Sequence, residues 1–289
     1  MAIGYICQRK FQLHIQTLAR LNIYFLVPGF IFVRLYETSI QLNIFMKILS
    51  FILLYVFILY IVVKLIAKVL KLTHGTEAVF SNSVLFFNSG NYGVPVNDLV
   101  FRSDPFAASI QVIFLMFQNI FIFTYGIFSL QAVDSGKLQA LLAYLRMPVI
   151  YALLLGLFLG AFNVSVPGFI LVPANYIADA MIALALFTLG AQVANIKFTS
   201  GLGLVYASLF LRLIIGPFIA LGMIYTIGLT GITAQAVLIA SSMPTSVNSA
   251  VIAEEYGNHP DVAAQIVLFS TLFSSITVTF VIYLSKVLF

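Results

Sequence analysis

Long apolar stretches alternate with short polar connections along the whole chain. A helix needs about 20 mostly apolar residues to cross the hydrocarbon core of a bilayer. Nine segments meet this requirement, at roughly residues 13–36, 44–71, 78–101, 105–131, 138–163, 168–194, 201–229, 233–254 and 261–289. The runs are continuous and lack the two-residue alternation of a strand, which argues against a membrane-spanning β-barrel. The pattern therefore predicts an all-α polytopic membrane protein.

Two of these segments are interrupted by polar residues where an unbroken apolar helix is expected. Residues 85–98, LFFNSGNYGVPVND, combine three Asn and two Gly with Pro95, and residues 241–249, SSMPTSVNS, surround Pro244. Proline removes a backbone donor and crowds the preceding turn, and glycine removes the side chain that stiffens a helix. Two broken helices in corresponding places of two halves are typical of the binding site of a transporter.

The chain also resembles itself at an offset of 155 residues, where DPFAASIQ at 104–111 matches HPDVAAQI at 259–266. Each of these motifs follows a broken segment. Each half then holds five crossings, so the second half is inverted relative to the first. The offset predicts one integral membrane unit made of two repeats, residues 1–134 and 135–289. Residues 138–155 have no counterpart, so the first helix of the first repeat is expected to be truncated.

Composition and charge further limit the class of protein and the kinds of site that the chain can hold. Apolar residues make up 62% of the chain and charged residues 8%, which leaves no room for a sizeable soluble domain. The single cysteine, Cys7, excludes a disulfide framework and a cysteine-based metal site. The three His residues lie near connections and lack metal-ligand spacing, so no metal site is expected.

The basic residues divide unevenly between the two sides of the predicted bundle. Nine lie on one side: Arg9, Lys10, Arg20, Lys64, Lys68, Lys71, Lys137, Arg146 and Lys197. Four lie on the other: Arg34, Lys47, Arg102 and Lys286. The positive-inside rule places the richer side in the cytoplasm. It therefore predicts a protein of the inner (plasma) membrane with an extracytoplasmic C-terminus.

Several motifs carry a resemblance to a known family. They are LNIYFLVPGFIF at 21–32, FNSGNYGVPV at 87–96, FQNIFIF at 117–123, SSMPTSVNSAVIAEEYG at 241–257 and AAQIVLFSTLFSSIT at 263–277. With them the chain resembles the auxin efflux carrier family in its bacterial branch, which includes permeases linked to malonate and malate. The resemblance implies ten helices in inverted 5+5 repeats, a fold like that of bile acid, arsenite and riboflavin transporters. The fourth and ninth helices would be unwound and cross near mid-membrane.

The resemblance also implies a function. The family carries small organic anions and uses no bound organic cofactor, and it assembles as homodimers. Its plant members recognise the substrate carboxylate near the crossover Pro and Asn residues, which correspond here to Asn91, Pro95, Pro244 and Asn248. The expected partners are the anion, the lipid bilayer and a second copy of the chain. Nucleic acid is not an expected partner.

Elementary chemistry leads to the same residues. A half-helix that restarts with a proline in its first turn presents free N–H groups and a positive dipole end to the break. The substrate-binding candidates are Asn88, Asn91, Gly93, Pro95, Gln118, Asn119, Pro244, Thr245 and Asn248. The alternative is a kink satisfied by neighbouring helices, with Asn side chains holding helices together. Gln118 and Asn119 fit either role.

The few ionisable residues within the segments have two interpretations each. Asp98 follows Pro95 closely and is expected first to cap the half-helix and second to bind a coupling proton. Asp179 is an intramembrane acid, which favours coupling to H⁺ or Na⁺ over a protonated structural role. Arg212 is expected to snorkel toward the cytoplasm or to pair with an acid. Glu254 and Glu255 lie at the end of the eighth segment and are interpreted as solvated, with gating as the alternative.

These patterns favour a secondary active transporter that moves a small organic anion, such as a carboxylate, by alternating access. An anion channel is the first rival, because broken helices also build selectivity filters. A membrane sensor without transport is the second. An enzyme is not expected, since the sequence shows no nucleophile–base pair and no metal cluster.

Overall fold

The computed structural model of the chain describes residues 2–37, 42–102, 104–126, 129, 148–162, 164–194 and 202–289. The first half holds α1 (Ala2–Phe11), α2 (Ile15–Leu21), α3 (Val27–Glu37), α4 (Leu42–Val69), α5 (His74–Leu85), α6 (Val94–Phe101) and α7 (Pro105–Phe121). The second half holds α8 (Pro148–Ala161), α9 (Gly168–Ala194), α10 (Gly203–Phe210), α11 (Gly216–Ile227), α12 (Gly231–Ser241), α13 (Val247–Glu255) and α14 (Pro260–Leu288). π-Helical turns at Asn22–Leu26, Ser89–Gly93, Ile122–Gly126 and Leu211–Ile215 continue or join these helices.

The helices have the length and surface of a membrane protein. Four described stretches are long and apolar enough to cross a bilayer: Asn43–Val69, Gly168–Thr188, Gly203–Ile227 and Pro260–Leu288. Shorter apolar helices accompany them. Large apolar side chains such as Leu65, Phe169 and Phe280 are exposed on the outside, where a lipid tail is a better neighbour than water. The predicted all-α polytopic membrane class is confirmed.

Each of the nine predicted segments overlaps at least one of these helices. The two repeated motifs open α7 and α14, and both helices begin with a proline, which a first helical turn tolerates without losing a hydrogen bond. The boundary between residues 134 and 135, the start of the fifth segment, and Lys137, Arg146 and Lys197 lie outside the described residues. The inversion of one repeat against the other stays a prediction.

The two broken helices lie inside the largest hydrophobic cluster rather than at its edge. Phe86 and Phe87 from the first break and Met243 from the second are buried there together with side chains from α4, α7 and α12. The Phe87 ring meets the Phe114 ring of α7 edge to face, with 6.0 Å between the ring centroids. This packing holds the irregular backbone away from lipid, as membrane proteins require.

Helix α1 packs against α9 so closely that one position requires glycine. A Cβ atom at Gly4 would overlap the backbone carbonyl oxygen of Phe187. Because backbone cannot rotate aside, we expect Gly4→Ala to lower the free energy of unfolding by about 1–3 kcal/mol, as overpacking does. Thermal unfolding of the purified protein in detergent measures this.

The matched control is Gly222→Ala in α11, where an added Cβ has no atom within 4 Å. That substitution should leave stability unchanged or raise it slightly, because alanine favours helix. Equal losses for the two variants would contradict the close contact between α1 and α9.

Candidate functional site

The first break lies earlier than the position of Pro95 predicts. Helix α5 ends, and the chain runs extended through Phe86, with φ −95° and ψ 113°. It becomes helical again in the π-helical turn Ser89–Gly93, which leads into α6. Pro95 lies in the first turn of α6, as predicted. The break itself lies earlier, at Phe86–Asn88, before the helix resumes at Ser89. The missing donor of a proline is tolerated beside a wider π turn, where hydrogen bonds already change partners.

The second break runs between the end of α12 and Val247, the first residue of α13. Pro244 lies between the two helices, before Val247, so its predicted position in the first turn of the new helix is wrong. Its backbone carbonyl accepts a hydrogen bond from the Asn88 N–H at 2.8 Å. The proline thus acts through its carbonyl group as a partner of the first break.

The two breaks are joined directly. Phe87 and Thr245 form an isolated antiparallel β-bridge. The Ser246 N–H donates to the Phe86 carbonyl at 2.8 Å, alongside the bond from Asn88 to Pro244. Unwound backbone within a membrane needs internal partners, and each break supplies those of the other. The two broken segments, residues 78–101 and 233–254, are therefore joined at their crossing by two backbone hydrogen bonds.

Arg212 donates hydrogen bonds to backbone carbonyl groups near this bridge that the bridge itself leaves without a donor. Its guanidinium donates to the carbonyls of Met243 at 2.9 Å and Val84 at 3.2 Å, and to that of Ser241. The residue is fully buried. The predicted snorkelling is wrong, because the side chain points inward to acceptors at both breaks. No carboxylate of the described side chains pairs with it either, so the predicted acid partner is not found among them.

The polar side chains of the first break face neighbouring helices. Asn91 is half-buried and accepts a hydrogen bond from Asn22 at 2.5 Å. The Asn88 side-chain nitrogen is buried, with no partner among the described residues. Gly93 gives room to Gln111 of α7, whose amide donates to the Ser89 carbonyl at 2.9 Å.

Sequence reasoning missed Asn22 and Gln111, and it gave Arg212 a different role. A polar residue in an apolar segment was the available signal for Asn22 and Arg212. In the structure Asn22, Asn91 and Arg212 each lie in one of the π-helical turns. Such turns often mark functional sites, because the extra residue redirects a side chain.

The candidates near the second break differ in accessibility. Thr245 is buried; its hydroxyl donates to the Ser83 carbonyl at 2.8 Å, and its N–H donates to the Ser270 hydroxyl at 2.9 Å. Asn248 is half-buried in the first turn of α13. On α7, Gln118 is buried, and neither atom of its amide has a partner among the described residues, whereas Asn119 is half-buried.

The acidic candidates lie away from the bridge. Asp98 is within α6, well past the start of the resumed helix at Ser89, so the predicted capping role is wrong. It lines a small cavity with Arg34, Asn97 and Gln111. Asp179 is exposed on the outside of α9, and the structure does not bring it to the crossing.

Glu254 and Glu255 close α13 as expected. Their side chains lie outside the described part of the structure, so their predicted solvated or gating roles are not addressed.

The Thr245 hydroxyl makes a testable contribution to the crossing. Thr245→Val keeps the shape but leaves the Ser83 carbonyl at the end of α5 unpaired, which costs about 1–3 kcal/mol for a buried group. We expect a loss of that size in the free energy of unfolding. The control is Thr279→Val, because Thr279 is exposed and bonds only within its own helix. If the control loses as much, the hydroxyl does not support the crossing.

The starts of the two resumed helices can offer hydrogen-bond donors to an anion. Both resumed helices begin at the crossing, and the first N–H groups of a helix lack intrahelical acceptors. Their dipoles add partial positive charge. Asn91 and Asn248 are the candidate amides at these two helix starts that remain partly accessible. Such a site offers hydrogen bonds to a carboxylate and does not hold it as an ion pair would.

A helical membrane protein with a bonded pair of broken helices has the architecture of a transporter. The sequence matches the family described as membrane transport protein over residues 1–140 and 135–282. The chain therefore belongs to this family, that of the auxin efflux carriers. The predicted family is confirmed, and the bacterial branch stays a prediction. The family is one of membrane transporters and not of enzymes.

Curated relatives carry the same family name. Auxin efflux carrier component 1 of Arabidopsis thaliana is 28% identical over 113 residues, 38% of this chain and 18% of that protein. Component 6 of the same plant is 29% identical over 135 residues, 45% of this chain and 24% of that protein. Probable auxin efflux carrier component 5b of Oryza sativa subsp. japonica is 28% identical over 145 residues, 48% of this chain and 39% of that protein. The chain thus matches less than two fifths of the length of each of these relatives.

Proposed function

We propose that this protein is a secondary active transporter that moves a small organic anion across the cytoplasmic membrane by alternating access. The anion binds through a carboxylate at the crossing of the two broken helices. The observation that carries the proposal is the bridge between Phe87 and Thr245. It fixes the starts of both resumed helices at one place, where two positive dipole ends and two amides converge.

The chemistry of the site suits a carrier. Neutral amides and helix N-termini bind a carboxylate by hydrogen bonds without a salt bridge, so binding stays weak enough for release. The crossing also depends on contacts between the two halves of the chain, such as the bond from Asn88 to Pro244. A rocking motion of one bundle against the other would change these contacts and the access to the site.

Coupling to H⁺ or Na⁺ supplies the driving force in this proposal, and no organic cofactor takes part. Asp98 is the stronger coupling candidate, because the cavity that it shares with Arg34 and Gln111 adjoins the resumed helix. Asp179 is the weaker candidate, since its exposure on the outside of α9 separates it from the crossing. Assembly as a homodimer and the extracytoplasmic C-terminus remain predictions.

Counterflow in vesicles tests the proposal. Purified protein in liposomes loaded with unlabelled malonate, malate or an indole carboxylic acid should accumulate the labelled acid transiently above equilibrium. The indole acids are included because the relatives are named auxin carriers. Saturable flux with counterflow supports a carrier. Single-channel conductance steps would indicate a channel, and binding without flux would indicate a sensor; either would overturn the proposal.

A further inference from the structure

Four helix ends meet at the crossing, and their charges nearly cancel. Helices α5 and α12 end there, while the resumed helices begin there at Ser89 and Val247. Each helix end carries a charge of about half an elementary unit, negative at the C-terminus and positive at the N-terminus. Two negative and two positive ends sum to about zero. The broken helices alone therefore give the crossing little net preference for an anion.

Arg212 changes this sum, because it binds the negative ends of both helices. It donates to the Val84 carbonyl in the last turn of α5 and to the Ser241 carbonyl that ends α12. A third bond reaches the Met243 carbonyl in the second break. One guanidinium thus compensates two C-terminal ends and leaves the two N-terminal ends unopposed.

The charge is fixed in place. Arg212 is fully buried, and its guanidinium carbon lies 4.9 Å from the centre of the Phe87 ring and 6.0 Å from that of Tyr55. Aromatic faces stabilise a desolvated cation, and arginine does not lose its proton in proteins. Within the described side chains, no carboxylate is close enough to form an ion pair with it. A net positive charge therefore remains at the crossing.

We propose that Arg212 is the specificity-determining charge of the transport site: it makes the crossing selective for anions over neutral solutes of the same shape. This inference rests on the proposed function and names how its site discriminates. Arg212 acts through its charge and through the helix ends that it holds, without touching the anion. It is a positioning residue, and a carboxylate rather than its amide is the ligand class that it favours.

The experiment compares competitors of equal shape and different charge in the counterflow assay. The proteins are the wild type, Arg212→Lys, Arg212→Gln and the control Arg20→Gln, which alters an exposed arginine of α2. The inhibition constants of malonate and malonamide are measured against labelled malonate. If counterflow selects the indole acid, the pair is indole-3-acetate and indole-3-acetamide. The ratio of the two constants does not depend on the amount of folded protein.

We expect the wild type, Arg212→Lys and Arg20→Gln to share one preference for the acid over the amide within about threefold. Arg212→Gln should lower this preference at least tenfold, about 1.4 kcal/mol. A preference that survives in Arg212→Gln overturns the inference, even if transport is slower. If Arg212→Gln does not fold, Arg212→Lys tests the inference instead. A tenfold loss of the preference for the acid in Arg212→Lys would show that the charge is not the determinant. A wild type without saturable flux of any acid defeats the proposed function itself.

Discussion

Replacing Arg212 with methionine should lower the free energy of unfolding by about 3 kcal/mol. The carbonyls of Val84 and Met243 lose their hydrogen-bond donor, and each unpaired buried acceptor costs about 1–3 kcal/mol. The Ser241 carbonyl keeps the Tyr55 hydroxyl, which donates to it at 2.9 Å. The two broken helices should therefore separate more easily. Thermal and chemical unfolding in detergent measure the loss.

Two further variants are compared with Arg212→Met. Arg20→Met removes an exposed arginine and should change stability by less than about 0.5 kcal/mol, as surface substitutions do. Arg212→Lys should fall between the wild type and methionine, because an ammonium group keeps the charge but cannot reach three separate carbonyls in a fixed plane. If Arg212→Met were as stable as the wild type, the guanidinium would not hold the crossing together.

The double substitution Asn91→Ala and Asn248→Ala should lower transport efficiency, kcat/KM, by about a hundredfold. A hydrogen bond to a charged ligand is worth about 1.5–3 kcal/mol, so each single substitution should cost roughly tenfold or more. The loss should appear mainly as a higher KM in counterflow, because the amides contact the anion in its bound state.

The matched control is Asn22→Ala. It removes the same hydrogen bond between Asn22 and Asn91 that Asn91→Ala removes, but it keeps the Asn91 amide at the site. We expect Asn22→Ala to lower stability as much as Asn91→Ala and to lower transport efficiency much less. Saturable transport that is unchanged in the double variant would show that the anion binds elsewhere.

The sequence predicted both breaks but not where the first one falls. Asn, Gly and Pro residues mark the polar interruption, yet helix is lost at Phe86 and Phe87, which carry no such signal. Their extended conformation depends on pairing with Thr245, a contact 158 residues along the chain (245 − 87 = 158). Local propensity places the break at Pro95, and the tertiary bridge moves it toward α5.

The role of Arg212 was even harder to predict from the sequence. A basic residue in an apolar segment predicts snorkelling when only its depth along the helix is known. Its acceptors come from positions 29, 31 and 128 residues away, and they are backbone carbonyls, which every residue possesses. No side-chain pattern therefore marks them. The positions of Asn91 and Asn248 near the helix starts were predictable, because both amides lie within the polar interruptions themselves. Their role as anion ligands stays a prediction.

The location of the bound anion tests the central claim most directly. Crystals soaked with bromomalonate at a concentration that saturates transport should give an anomalous bromine peak at the crossing, between the helix starts at Ser89 and Val247. The peak should disappear in the double variant Asn91→Ala and Asn248→Ala. A peak elsewhere, for example in the cavity beside Arg34 and Asp98, or one that survives the double substitution, would contradict binding at the crossing.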